Sequence, residues 1–195
     1  MLFFEEPFYV LGSTKPDGSV GSLAYNSPVK GIVVTGSKGG TDRSIVAGLR
    51  AGGYVVLGVD VVTPDAAEVG DVQLDFRDAL RLNDIFAGAS GIVHFGSYPT
   101  DSSYSATDMF HNIVLGGVNV LQVVVNTGVK RLVVASSIMT YGDLTRQISL
   151  PITEDSAQVP VSVYGSSKQI LEHVAADYCR WDGISVAVMR MSRIV

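Results

Sequence analysis

The sequence predicts an α/β protein: a doubly wound parallel sheet of about six strands with helices on both faces. Three observations predict it. Short apolar runs recur at residues 31–35, 54–59, 72–75, 91–95, 131–136 and 184–189, bounded by glycine or polar residues. Stretches with apolar residues at helical spacing lie between them, as in Ile45, Val46 and Leu49. Strands that alternate with helices pair in parallel, because the helix carries the chain back across the sheet. With 195 residues, 47% hydrophobic and 17% charged, the chain suffices for one domain with a sizeable core.

Residues 31–60 set the pattern. The run 31–35 reads as a buried strand, and the turn Gly36-Ser37-Lys38-Gly39-Gly40 follows it. A helix then runs to Gly52-Gly53, and a second strand ends in Asp60. Such a βαβ unit is the setting a dinucleotide fingerprint requires, which makes the expected fold Rossmann-like. Gly36 lets the chain turn sharply off the strand. Gly39 and Gly40, without side chains, let backbone N–H groups approach a pyrophosphate, and the helix points its positive end at it. Asp60 is placed to accept hydrogen bonds from a ribose and to repel a 2′-phosphate, so NAD is expected rather than NADP.

One position departs from G-x-x-G-x-x-G: the third glycine is Asp42. We read it as a first-turn acid facing solvent and stabilising the helix dipole. The opposing reading is a block on the cofactor. At about 5 Å and an effective dielectric of about 20, repulsion of one phosphate charge is about 3 kcal/mol, more than a hundredfold in affinity. Lys38 and Arg43 are candidates to offset it.

Further along, residues 79–86 are expected as a short helix, 107–127 as a long one ended by Gly128, and 163–181 as another. Residues 61–70, 97–105 and 142–161 read as loops. Residues 1–29, with three prolines and scattered aromatics, read as an extended arm outside the core domain of residues 30–195. Phe3, Phe4, Phe8 and Tyr9 either pack on the domain or a neighbouring subunit, or belong to a leader without function.

A net charge of −5 gives no nucleic-acid footprint. Cys179 is the only cysteine, which fits a reducing, cytoplasmic setting; a reactive thiol or a small buried helical residue are its two readings. No segment reads as membrane-spanning, since the apolar stretch 113–125 is short and broken by Asn119 and Gln122. The N-terminus lacks the pattern of a signal peptide. His94 is expected to be structural, and His111 and His173 have no ligand-like spacing, so no metal site is expected.

Tyr164 and Lys168 share one helix face at i, i+4. A nearby ammonium lowers the pKa of a phenol, and such a tyrosine moves a proton on or off a substrate oxygen while hydride moves at the adjacent carbon. Ser137, at the end of the fifth strand, either bonds the same oxygen or satisfies turn backbone.

Taken together, V-T-G-x-x-G, Asp60, Asp75-Phe76, His94-Phe95-Gly96-Ser97, Gly128-Val129-Lys130-Arg131, S-S-x-x-x-Y-G and Y-G-x-S-K resemble the extended short-chain dehydrogenases/reductases of the NAD-dependent epimerase/dehydratase family. The resemblance runs from Gly31 to the chain end. It implies Tyr164 as acid/base, Lys168 as its activator and ribose contact, and Ser137 as substrate hydroxyl partner. It implies Asp75 and Phe76 at the adenine, and Gly96 and Ser97 along the cofactor. Residues 116–119 match the family's G-T-x-N, but Ile113 stands where asparagine is usual, and Asn112 beside it faces differently on a regular helix. The sequence stops at a match to L-R-P-x-x-V-Y-G-P, without the substrate-binding region expected next.

The expected function is an NAD-dependent oxidoreductase, epimerase or dehydratase acting at a carbinol carbon of a sugar, sugar nucleotide or sugar acid. The 94–97 turn and residues 189–192 are similar to uronate dehydrogenases. The rival readings are a cofactor-less or repurposed binding protein, which Asp42 motivates, and a truncated inactive fragment. A homodimer through helices 107–127 and 163–181 is expected, with Gly116, Gly117 and Val123 to Val125 packing there or facing the sheet.

Overall fold

The computed structural model describes residues 8–14, 20–25, 31–64, 71–99, 103–143 and 151–192. Within the stretch expected as an extended arm, two strands, β1 (Phe8–Thr14) and β2 (Val20–Tyr25), pair antiparallel as a sheet of their own. The main sheet has six parallel strands: β3 (Gly31–Thr35), β4 (Val55–Asp60), β5 (Val72–Gln73), β6 (Gly91–His94), β7 (Arg131–Ser137) and β8 (Ser185–Met191). Their order is β5-β4-β3-β6-β7-β8. The order in which the chain adds strands therefore reverses between β3 and β6, the switch point where such folds open a ligand crevice.

Alternate residues of the strands serve two cores. Val33, Leu57, Ile92, Leu132 and Val134 pack with α2 (Ala79–Phe86) and the two long helices, Ala106–Asn126 and Val163–Asp182. On the other face, Val34 and Val56 meet Val46 of α1 (Gly40–Ala51). Phe86 and Leu82 are fully buried, each worth about 2 kcal/mol or more. Near β8 this second face is open among the described residues: Met189 is 46% exposed and Ala187 is exposed too. Half of the expected two-sided cover is thus much the larger.

Helix starts follow their local sequence, with one exception. Asp78, Ser105 and Ser162 each accept a backbone N–H from the first turn of the helix that follows. Gly39, before α1, makes no side-chain cap. By length and composition alone Ala106–Asn126 is apolar enough to cross a bilayer, contrary to the expectation from residues 113–125. Here its Val120, Leu121, Val123 and Val124 form the core. A methyl on Gly116 would strike the Phe76 ring and one on Gly117 would strike Leu171. These residues therefore serve the interior of the fold. Cys179 is half-buried.

Candidate functional site

The expected site residues converge at the carboxyl ends of β3, β4, β6 and β7. Gly36 has φ +78°, and its N–H donates to the Val59 carbonyl at 2.8 Å. A methyl there would lie 2.5 Å from the backbone nitrogen of Gly96. Only glycine permits this crossing of the two turns, for both φ and space. Gly39 and Gly40 lead into α1, whose first N–H groups are left without a side-chain cap. Uncapped N–H groups and the helix dipole together suit an anion.

Asp42 does not face solvent, which corrects the sequence reading. It is 8% exposed, and its Oδ2 lies 2.1 Å from where a Gly39 methyl would stand. The side chain is folded back over the turn. Burial and the charge of Asp60 push its pKa up to about 7, with Lys168 opposing them. Neither candidate for offsetting its charge serves: the Lys38 ammonium sits 3.5 Å from buried Asp71, and Arg43 is exposed.

Asp60 is pinned at the end of β4. Its Oδ2 accepts the Lys38 N–H at 2.8 Å and its Oδ1 the Val62 N–H at 3.0 Å. Asp75 is gripped by Arg77, whose bonds hold its carboxyl below the usual carboxylate range. Phe76 is in the core, its ring edge-on to His94 at 5.0 Å and pressed on Gly96 and Gly116. That leaves its backbone, not its ring, for any ligand. His94 is structural in kind: buried, paired through Nδ1 with Thr35 Oγ1 at 2.7 Å, and pushed by burial down to about 3, hence neutral.

Tyr164 and Lys168 project from the first turns of Val163–Asp182. The Lys168 ammonium is 5.6 Å from the Tyr164 ring centre. It donates to the Ala135 carbonyl at 2.8 Å and to Ser97 Oγ at 3.2 Å. Burial pulls its pKa down to about 8, against the charges of Asp42 and Glu172. The Tyr164 phenol is pushed above its ordinary value by burial, although the Ser137 and Ser97 hydroxyls bond it and pull the other way. The expected net lowering by Lys168 is not what this arrangement gives. Ser137 Oγ accepts the Met139 N–H at 3.1 Å, which satisfies the turn, and still turns its hydroxyl to Tyr164. The reading of Ser137 as a serine that satisfies the turn holds. Beside it, Ile138, Tyr141, Glu154, Met189 and Arg190 line an open cavity of about 720 Å³.

Residues 32–195 match the model of the NAD dependent epimerase/dehydratase family. The chain belongs to this family. Among curated relatives, a putative UDP-arabinose 4-epimerase 2 of Arabidopsis thaliana is 28% identical over 136 residues, 68% of this chain and 32% of that protein. The chain thus spans about a third of the length of the curated relatives it matches. Among solved structures, a short-chain dehydrogenase/reductase superfamily protein from Agrobacterium tumefaciens with bound NAD is 32% identical, with a TM-score of 0.75 over 82% of this chain and 48% of that one. A mutated uronate dehydrogenase is 28% identical, with a TM-score of 0.73 over 83% of this chain and 58% of that one.

Two features of this family member escaped the sequence. Residues 111–115 form a π-helical turn within Ala106–Asn126. The wider turn absorbs one extra residue, so Asn112 swings inward. It is 4% exposed and its Oδ1 accepts the Tyr98 N–H at 2.7 Å. The objection that adjacent helical residues face differently fails because the helix is not regular there. Second, Glu172 continues the Tyr164–Lys168 face by one more turn. Its carboxylate accepts from Arg190 Nη2 and Gln158 Nε2, each at 2.8 Å, and from Ser136 Oγ. Arg190 also donates to Tyr141 Oη at 2.7 Å and the Glu154 carbonyl at 2.8 Å. Burial raises the Glu172 pKa, but these bonds outweigh it and the net shift is down. The i, i+4, i+8 spacing of Tyr164, Lys168 and Glu172 was the available signal.

Proposed function

We propose that this cleft binds NAD and that Tyr164 moves the proton at a carbinol oxygen of a sugar or sugar nucleotide. The observation that carries the reading is the meeting of Tyr164, Lys168, Ser137 and Ser97 at the switch-point end of the sheet. The residues fit a dinucleotide at all points but one. The Gly36 turn and uncapped α1 suit the pyrophosphate, Asp60 a ribose diol, and Lys168 the second ribose; Asp42 is the exception. Bound NAD would supply the hydride acceptor beside the carbinol carbon.

The chain's own part is proton handling. Tyr164 and Ser137 bond the substrate hydroxyl; once Tyr164 has released its own proton to solvent, the phenolate receives the substrate proton, and the Lys168 ammonium, 5.6 Å from the ring centre, favours that phenolate against the burial that raises the phenol's pKa. The likeness to proteins named as a UDP-arabinose 4-epimerase and a uronate dehydrogenase supports this reading. Assembly as a homodimer in the cytoplasm belongs to the same proposal, and sedimentation tests its oligomeric part. Tyr164→Phe is expected to lower turnover on UDP-sugars or uronates at least about a hundredfold. Unchanged turnover would overturn the role of Tyr164.

Asp42 favours a second reading, a family member that has lost its cofactor. Failure of the folded chain and of Asp42→Gly to bind NAD at any pH would establish that reading in place of the first.

A further inference from the structure

Asp42 is over nine-tenths buried, and among the described residues its carboxylate has no hydrogen-bond partner. It lies against Gly39, at the uncapped start of α1. It also feels both Asp60 and Lys168. On the proposed reading those two residues hold the two riboses of a dinucleotide. A buried carboxylate folded against Gly39 at the uncapped head of α1 occupies the place where a pyrophosphate would meet the helix.

We propose that Asp42 gates this cradle with a proton: a dinucleotide enters when Asp42 is protonated, so cofactor binding takes up one proton at this residue. The inference rests on the reading that the cleft binds NAD. As a carboxylate, Asp42 places a negative charge in the anion site and repels the pyrophosphate. Protonated, the same group is neutral and has an O–H to donate to a phosphoryl oxygen. The proton comes from solvent and nothing else changes in the balance.

The surroundings set the range in which the gate works. The charge of Asp60, at the end of β4, disfavours that of Asp42, and the charge of Lys168, on Val163–Asp182, favours it. Burial adds to the effect of Asp60, and the carboxyl titrates at about 7. Lys38 of the turn is engaged with Asp71, and Arg43, one residue on, points to solvent. His94 on β6 stays neutral, and the Tyr164 phenol is pushed up. Lys168 is the other group that changes charge near this range, at about 8.

The test is calorimetric titration of the whole chain with NAD at pH 6, 7 and 8, in two buffers of different ionisation heat. Asp42→Asn and Asp42→Gly are measured beside it, with circular dichroism as the check on folding. The expected result is a Kd that rises about tenfold from pH 6 to pH 8, with net proton uptake that approaches one at pH 8. Asp42→Asn is expected to bind about tenfold tighter than the unmodified chain at pH 8 and to keep no more than about a threefold pH effect, the part Lys168 contributes. NAD binding that is flat with pH in the unmodified chain, or equally steep in Asp42→Asn, would overturn the gate and leave the cleft assignment standing. Binding by Asp42→Gly alone would also overturn it, since bulk rather than charge would then close the cradle. Absence of binding by all three folded proteins would overturn the cleft assignment and the gate with it.

Discussion

Asp42 and Glu172 are equally buried, each 8% exposed, and both act on Lys168. Their charge states diverge. Glu172 lies among donors: Arg190 grips both its oxygens, and Ser136 and Gln158 complete the set. It stays ionised despite burial. Asp42 has no such donors, a second carboxylate for a neighbour, and a pKa raised to about 7. Burial alone sets neither state; the supply of donors decides between them. The Glu172 knot ties the Tyr164 helix to β7 and β8. The Asp42 site holds a group poised to change charge.

Removing the donors should turn Glu172 into a second Asp42. Arg190→Leu takes a cation from Glu172 and partners from Tyr141 and the Glu154 carbonyl. A loss of about 3 kcal/mol is expected in urea denaturation at pH 7. The loss should shrink near pH 4, where an ungripped Glu172 takes up a proton. A cost under about 1 kcal/mol at pH 7 would mean that the knot is not what keeps Glu172 charged.

Asp42→Asn probes the other half and should act in the opposite direction. Below its ordinary value of 3.8 the carboxyl is protonated in both folded and unfolded chains. Between 3.8 and about 7 the fold keeps a proton the unfolded chain has released, so this group's contribution falls as pH rises through that range. Asp42→Asn should therefore match the unmodified chain near pH 4 and be about 2 to 4 kcal/mol more stable at pH 8. His94 slopes the other way. It charges in the unfolded chain below about 6.5 and in the fold only near 3, so it withdraws stability as pH falls through that window. The difference between the two proteins cancels His94 and isolates Asp42.

The smallest effect belongs to Gln158→Leu. It removes one of the donors to Glu172 and should cost about 1 kcal/mol, with Arg190 still in place. A larger loss would mean that the knot is cooperative and that Arg190 needs Gln158 to hold its grip.

The strands and helices were legible because their signals are local. Residues 31–35 and 79–86 read directly as strand and helix, since apolar spacing and flanking glycines lie within one window. The site was legible where chain order meets the sheet's switch point: Gly36, Asp60, Ser137, Tyr164 and Lys168 all come to one end. What stayed hidden depends on distant partners. Ser136 and Glu172 are 36 residues apart, and no local pattern announces their bond. Asp42 has the usual place of an acid in a first helical turn, and only the fold shows it turned back over Gly39. Asn112 was misjudged because a regular helix was assumed across residues 111–115. The motif placed Phe76 at the adenine, and it gave no sign that the bare faces of Gly96 and Gly116 draw the ring into the core.

Carbon NMR of the chain labelled at aspartate carboxyls reads the charge of Asp42 in the free protein directly. One carboxyl signal is expected to titrate near pH 7 and to vanish in Asp42→Asn, while the Asp75 carboxyl titrates in the acid range. If every aspartate carboxyl of the folded chain titrates below pH 5, Asp42 is an ordinary carboxylate and the proton gate does not exist.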